Sequence, residues 1–297
     1  MKHTKYKIGV VTNVSGPSMQ CLKKVALKYN VTFEQIRFTT LPLSNFSKSP
    51  LLDVISSYDI VYYRTGMKGP IVNELSFVLN KKNIPCVNCV SNHPYIHQKI
   101  RQALVANRYN IPQPKSLNAP DFNYDTISKE LGSTFVVKPD DGSQGNEVSL
   151  ITSEKELSDF EKNKTKAKYI FQEYIQGADE YRVYTIGGKG IVSYKKIGSK
   201  TDFRANLHVG GTITETEPEW GNELLKFGGF ISRCFGADLA GVDILKKEGK
   251  LYFLELNLQP GWEQLEKLTN FDLGYLTLEY LLLQAHKKQP WYRRLLF

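Results

Sequence analysis

Hydrophobic and polar positions change their period several times along the chain. Apolar residues run together from Tyr6 to Val11 and stop at Asn13, and from Pro17 they recur at helical spacing through Val25 and Leu27 to Tyr29. The pattern predicts a buried strand and then an amphipathic helix. Val31 to Phe38 and Asp59 to Tyr63 predict two more strands, Val72 to Lys82 a helix, and Pro85 to Val87 a short strand. Strands alternating with helices imply parallel pairing, so the first hundred residues read as a small α/β unit. A helical pattern from Pro94 to Tyr109 then runs into Ile111-Pro112-Gln113-Pro114, an extended, hinge-like segment.

Beyond the hinge the order changes. Thr134 to Lys138 and Glu147 to Ile151 predict strands joined by a Gly-rich turn, Ser153 to Lys162 a helix, and Tyr169 to Glu173 a strand. Tyr181 to Ile186 and Gly190 to Lys195 predict a hairpin across Gly187-Gly188-Lys189, followed by a helix from Pro218 to Phe235. Val242 to Lys246 and Leu251 to Asn257 predict a second hairpin, and two helices close the chain. Strand pairs that share a face with helices make the second half α+β.

Composition narrows the class. The chain has 297 residues, 41% hydrophobic, 12% aromatic and 23% charged, which is ordinary globular usage and suits about two domains. No apolar run approaches the ~20 residues of a membrane span, and Met1 to Tyr6 leads only into the short run Ile8 to Val11. A cytoplasmic protein without a membrane partner is therefore expected. Lys and Arg number 39 against 30 Asp and Glu, a net +9, which suits an anionic partner. The excess is scattered in pairs such as Lys81-Lys82 and Arg293-Arg294, not gathered in the stripe of a dedicated nucleic-acid binder. Cys86, Cys89, His93 and His97 lie too close together for a zinc module, whose ligand pairs flank a loop of roughly twelve or more residues.

Three stretches carry chemistry. Val136-Val137-Lys138-Pro139-Asp140-Asp141-Gly142-Ser143-Gln144-Gly145 ends a strand in a lysine and enters a small-residue loop. Such a loop lets backbone N–H groups close on a phosphate, with the lysine as a point charge. Glu180 and Arg182 stand two apart on a predicted strand and so share a face. Gly241-Val242-Asp243-Ile244-Leu245 and Phe253-Leu254-Glu255-Leu256-Asn257 place acids inside apolar strands, which is costly unless each is paired or metal-bound. A three-residue turn Glu248-Gly249-Lys250 would set Asp243 opposite Glu255, with Asn257 on the same face. Opposed carboxylates repel, so Asp243→Asn is expected to leave the apoprotein at least as stable.

In order and spacing, residues 95 to 270 resemble the ATP-grasp carboxylate–amine ligases, and among them the RimK-like branch that adds glutamate to protein or small-molecule acceptors. The resemblance rests on Lys99, the Lys138 loop, Gln172-Glu173-Tyr174-Ile175, Glu180-Tyr181-Arg182, Phe203-Arg204-Ala205-Asn206, Gly241-Val242-Asp243 and Glu255-Leu256-Asn257 with Pro260-Gly261. It implies an ATP-grasp fold behind a small N-terminal α/β domain: residues 1–98, then a central unit 99–176 and a C-terminal unit 177–297. It implies that Lys99 and Lys138 hold the nucleotide phosphates under a flap of Gly142, Ser143, Gln144 and Gly145. Gln172, Glu173, Tyr174 and Ile175 would meet the adenine and Glu180 the ribose. Arg204 and Asn206, with Arg182 and Lys195, would be catalytic, and Asp243, Glu255 and Asn257 would bind two Mg2+ ions, with Mn2+ as an alternative.

The implied partners are ATP, a carboxylate and an amine, and the implied reaction passes through an acyl phosphate. Lys196 stands where the family pattern leads one to expect an arginine, and Leu258, Gln259 and Trp262 replace small polar residues on the acceptor side. Two other readings remain at this level: a non-catalytic domain holding nucleotide or an anionic polymer, and a nucleic-acid surface formed by Arg64-Thr65-Gly66-Met67-Lys68-Gly69 with the tail Trp291 to Arg294. The acids kept in apolar strands argue against the first, and the shortness of the tail against the second. The sequence leaves open a homo-oligomer.

Overall fold

The computed structural model describes residues 6–12, 16–36, 50–64, 70–89, 96–119, 121–141, 147–162, 168–198 and 211–287. Its first sheet holds β1 (Lys7–Val11), β2 (Thr32–Ile36), β3 (Ile60–Tyr63) and β4 (Cys86–Val87), all parallel in the order β2-β1-β3-β4. The crossovers are α1 (Pro17–Lys28), α2 (Pro50–Ser56) and α3 (Pro70–Lys81). α1 starts on a proline, whose missing N–H has no intrahelical partner to lose there, and stops where Asn30 turns to φ 57°. Its Met19, Leu22 and Ala26 pack on Ile8 and Val10, whereas Ile55, Leu75 and Leu79 cover Val11 and Val61 on the other face. Burial on both faces explains why β1 and β3 read as apolar runs, whereas the edge strand β2 (Thr32-Phe33-Glu34-Gln35-Ile36) is only partly buried.

α4 (Lys99–Arg108) leads into a second, antiparallel sheet, β5-β8-β6-β7, built from β5 (Ser116–Leu117), β6 (Phe135–Pro139), β7 (Ser149–Ile151) and β8 (Tyr169–Glu173). α5 (Tyr124–Leu131) and α6 (Glu154–Lys162) pack on it through Ile127, Phe135, Leu157, Phe160, Tyr169 and Phe171. α5 is absent from the sequence reading because it spans only 8 residues. It is held by its cap: the Asn123 side chain accepts the Thr126 N–H at 2.8 Å.

The third sheet is antiparallel, β11-β10-β9-β12-β13, with β9 (Asp179–Ile186), β10 (Lys189–Ile197), β11 (Thr212–Glu215), β12 (Leu239–Lys247) and β13 (Lys250–Asn257). α7 (Pro218–Cys234) covers one face, where Tyr181, Val183, Val242 and Ile244 meet Leu224 and Ile231. The approach is close: a Cβ on Gly190 would come within 2.3 Å of the Leu225 carbonyl oxygen. On the other face Tyr184, Ile186, Val192, Tyr194 and Leu239 join the core of the first sheet together with α8 (Glu263–Leu268) and α9 (Leu273–Lys287). The remaining half of that face carries charge.

Two bulges decide which charges those are. The β12–β13 turn is the two-residue pair Glu248-Gly249 (φ 51° and 75°), with Lys247 opposite Lys250, not the expected three-residue turn. Carried on unbroken, that register would set Asp243 against Leu254 and turn Glu255 to the α7 side. An irregularity between Asp243 and Ile244 absorbs Leu254 and restores Asp243 opposite Glu255. A second shift, between Gly190 and Val192, sets Lys196 and not Lys195 opposite Glu180.

Candidate active site

The charged half-face is built on β9, β10, β12 and β13 by period-two alternation. Arg182 lies opposite Asp243 on one side and Tyr194 on the other, and Glu180 lies opposite Lys196. Arg182 grips Asp243 as a fork, Nε to Oδ1 at 2.5 Å and Nη2 to Oδ2 at 2.6 Å. Lys196 Nζ reaches Asp243 Oδ2 at 2.9 Å and also donates to Glu180. Asp243 thus sits between two cations, whose attraction offsets its repulsion of Glu180. Burial on its own would raise the Asp243 pKa, but the Arg182 guanidinium and the Lys196 ammonium bring it down to about 2. Burial likewise pushes the Glu180 carboxyl upward, against the pull of Lys196. The expectation that Asp243→Asn relieves repulsion is therefore overturned, because the substitution removes the anion that two buried cations share.

The second sheet supplies the facing wall. Lys138, 7% exposed, donates from Nζ to the neutral Gln172 Oε1 at 2.8 Å, and Gln172 Nε2 is fixed in turn on Ser116 Oγ at 3.0 Å. Among the described residues Lys138 has no carboxylate within ion-pair distance. Burial lowers its pKa to about 8, with Lys99 lowering it further and Glu255, Glu180 and Asp243 acting the other way. Lys138 is therefore close enough to Lys99, at the start of α4, and to the acids of the third sheet to feel their charges. Glu255 makes no ion pair or hydrogen bond among the described residues.

Other residues of the sequence reading fall elsewhere. Lys195 does not enter this face. It projects to the α7 side and pairs with Glu217 at 2.8 Å and Asp179 at 3.0 Å, and Lys196 takes the place in the cluster. Glu173 faces the apolar side of its sheet, its carboxylate accepting the Lys115 N–H at 3.0 Å. Tyr174 and Ile175 lie just past β8, and their carbonyls accept the N–H groups of Gln176 and Ala178. Gly142, Ser143, Gln144, Gly145, Arg204 and Asn206 lie outside the described residues, as do 65–69 of the basic loop and the tail from 288.

The donor set tests what this arrangement fits. Lys138, whose contacts among the described residues are neutral, and which feels the charge of a second lysine, suits a polyanion such as a nucleotide phosphate chain. Asp243, Glu255 and Asn257 offer oxygen donors on one face, although Arg182 and Lys196 hold both Asp243 oxygens and Asn257 Oδ1 accepts the Gln259 N–H at 2.8 Å. Among the described residues no group of three or more His, Cys, Asp or Glu side chains forms a metal cage. A hard-oxygen set of this kind fits magnesium whose shell is completed by phosphate oxygens, which is the usual habit of that ion with nucleotides.

Comparison with known proteins identifies the family and the fold. Residues 97–281 match the family described as the RimK-like ATP-grasp domain. A probable alpha-L-glutamate ligase of Mannheimia succiniciproducens is 27% identical over 234 residues, covering 77% of this chain and 78% of that protein. Its namesake in Histophilus somni strain 129Pt is 29% identical over 198 residues, 65% of this chain and 66% of that protein, just under two thirds of its length. Among solved structures, the ATP-grasp ligase PsnB complexed with minimal precursor, Mg and ADP superposes with a TM-score of 0.71 at 20% identity over 96% of this chain and 99% of its own. D-alanine–D-alanine ligase from Bacillus anthracis gives 0.68 at 18% identity, over 95% and 98%. These two share the fold.

Proposed function

The chain belongs to the RimK-like ATP-grasp family of ATP-dependent ligases, and we propose that it joins an amino acid, with L-glutamate foremost, to a second substrate through an acyl phosphate. The observation that carries this reading is Lys138, a buried ammonium whose partner among the described residues is the neutral Gln172, close enough to Glu255 to feel a carboxylate that has no partner among those residues. The relatives named as glutamate ligases support the choice of amino acid.

In the proposed reaction a carboxylate oxygen of one substrate attacks the γ-phosphorus of ATP. The bond from that phosphorus to the β–γ bridging oxygen breaks, giving ADP and the acyl phosphate. The amine of the other substrate then attacks the acyl carbon, phosphate leaves, and the nitrogen sheds a proton to give the amide. Phosphoryl transfer asks the protein mostly for positive charge and positioning. Lys138 and Lys99 hold phosphate oxygens, Gln172 fixes the Lys138 ammonium in place, and Arg182 stays rigid because Asp243 grips it on two atoms. Asp243, Glu255 and Asn257 would hold magnesium, which would neutralise charge on the phosphates. Acyl phosphates hydrolyse, so the site must shed water. The sheet of residues 116–173, with its own aromatic core, is the natural closing part, hinged at Ile111 to Pro114 and at Gln176 to Ala178, whereas α4 packs with the third sheet.

Trapping tests the intermediate. With ATP, magnesium, L-glutamate and hydroxylamine, the protein is expected to form the hydroxamate and ADP together. ADP release without hydroxamate would refute the acyl phosphate.

A further inference from the structure

The basic loop that begins at Arg64 has no part in the chemistry above, and its first residue does not face solvent. Arg64 is 9% exposed and extends β3, its N–H donating to the Val11 carbonyl at 2.9 Å. β1 and β3 are neighbours in the order β2-β1-β3-β4, and the helices that follow them, α1 and α3, pack on opposite faces of the sheet. The crevice beyond the carboxyl ends of such a strand pair is where open α/β sheets receive ligands.

Among the described residues the guanidinium has neutral partners only. Its Nη2 donates to the Pro260 carbonyl at 2.9 Å and its Nη1 to the Tyr62 hydroxyl at 3.4 Å, and it lies 4.7 Å from the Trp262 ring centroid. Among the described residues no carboxylate lies within ion-pair distance of it. The residues outside the described set contain a single acidic side chain, Asp202. Glu263, next to Trp262 in the chain, is engaged by Ser18, and Glu266 accepts the Gly274 N–H at 2.8 Å. A buried cation left with neutral partners is costly unless an anion joins it. Those same partners hold the guanidinium in one orientation and accept only two of its five N–H groups, which leaves donors for a carboxylate.

Arg64 also lies at the right end of the site. Pro260, whose carbonyl it holds, packs against Gly241, where a Cβ would come within 3.0 Å of Pro260 Cβ and 3.2 Å of Arg182 Cδ. Tyr184, close enough to Arg64 to feel its charge, stands two residues beyond Arg182 on the same face of β9. Two strand residues span about 7 Å, the scale of a small amino acid.

We propose that Arg64 is a specificity-determining residue that holds a spectator carboxylate, one that an amino-acid substrate keeps through the reaction. This rests on the ligase reading and adds the substrate class: an amino acid bearing a carboxylate that is not activated. The test uses the full chain with ADP and magnesium, and follows thermal unfolding and calorimetric binding. L-glutamate is the probe, and L-glutamine and L-glutamic acid α-amide each block one of its carboxylates. In the wild type, glutamate binds and one mono-amide binds far more weakly. Arg64→Met is expected to weaken glutamate about 10- to 100-fold, to the level of that mono-amide, while ADP binding is unchanged. Arg64→Lys, which keeps the charge, recovers part of the affinity and serves as the working variant if Arg64→Met melts early. Wild-type glutamate affinity in either variant overturns the proposal, as does a parallel loss of ADP and glutamate binding with a lowered unfolding midpoint, which marks a mere clasp. Failure of the ligase reading looks different: the wild type then binds no glutamate and makes no ADP from ATP, and the proposal falls with it.

Discussion

Asp243→Asn is expected to remove ligation and to lower the unfolding midpoint. Asp243 is 5% exposed and its two oxygens are shared by Arg182 and Lys196. Removing one partner of a buried ion pair costs about 3–5 kcal/mol, because the other charge remains without compensation. Here two cations are left, and asparagine offers a neutral oxygen in place of the anion. For a chain of this size that corresponds to a fall on the order of 5–10 °C. Turnover should drop at least roughly 100-fold, since Arg182 loses the fork that orients it and, under the proposed reading, the cation of the phosphates loses an anionic ligand. Lys195→Ala, on the other face of the same sheet, is the control. It breaks the pairs to Glu217 and Asp179 at a cost of about 1 kcal/mol and leaves kinetics unchanged. Differential scanning calorimetry and steady-state ADP release check both variants, and an Asp243→Asn protein as stable as the wild type would show that the cation pair does not need its anion.

Lys138→Met should abolish the pH dependence of nucleotide binding along with most of the affinity. In the free protein burial holds the Lys138 pKa at about 8 against an ordinary 10.5. A depressed folded-state pKa means that this group's contribution to stability is complete above 10.5 and is lost as pH falls through 8, where the buried ammonium is forced to carry its charge. Nucleotide reverses that preference, because phosphate oxygens favour the charged form. Binding in the wild type should therefore take up a proton between about pH 8 and 10 and weaken as pH rises through that window. Calorimetry in two buffers of different ionisation enthalpy reads the proton directly. The methionine variant should bind ATP about 10- to 100-fold more weakly with no such uptake, the loss expected for a hydrogen bond to a charged group. Equal proton uptake in both proteins would remove Lys138 from the phosphates.

How much of this was legible beforehand follows from what periodicity can carry. Strand and helix order was readable, because buried parallel strands give unbroken apolar runs and the acids in β12 and β13 interrupt such runs. The shared face of Glu180 and Arg182 also follows from alternation alone. Register across a hairpin does not. Counting back from Gly187-Gly188 without a bulge sets Lys195 against Glu180, and counting back from Glu248-Gly249 sets Leu254 against Asp243. Each bulge moves one charge across the sheet: one sets Lys196 rather than Lys195 opposite Glu180, and the other sets Asp243 opposite Glu255, the role expected of a turn at Glu248-Gly249-Lys250. The state of Asp243 was misjudged for a related reason: its partners come from β9 and β10, far away in the chain, and only their pairing shows an anion between cations. Arg64 looked like the start of a surface loop because a basic run reads the same whether or not its first member is covered by Trp262. The short α2 and α5 left too few turns for a helical period to appear.

The measurement that bears most directly on the central claim is a product balance. The full chain is incubated with ATP, magnesium, L-glutamate and a panel of amine and carboxylate partners, and ADP, phosphate and product masses are recorded together. Carboxylate–amine ligation predicts one ADP and one phosphate for each new product, whose mass is the sum of two substrates less one water, and no product when either substrate is withheld. Release of AMP and pyrophosphate, or phosphate release that continues unchanged without an acid or an amine and yields no condensed product, would contradict it.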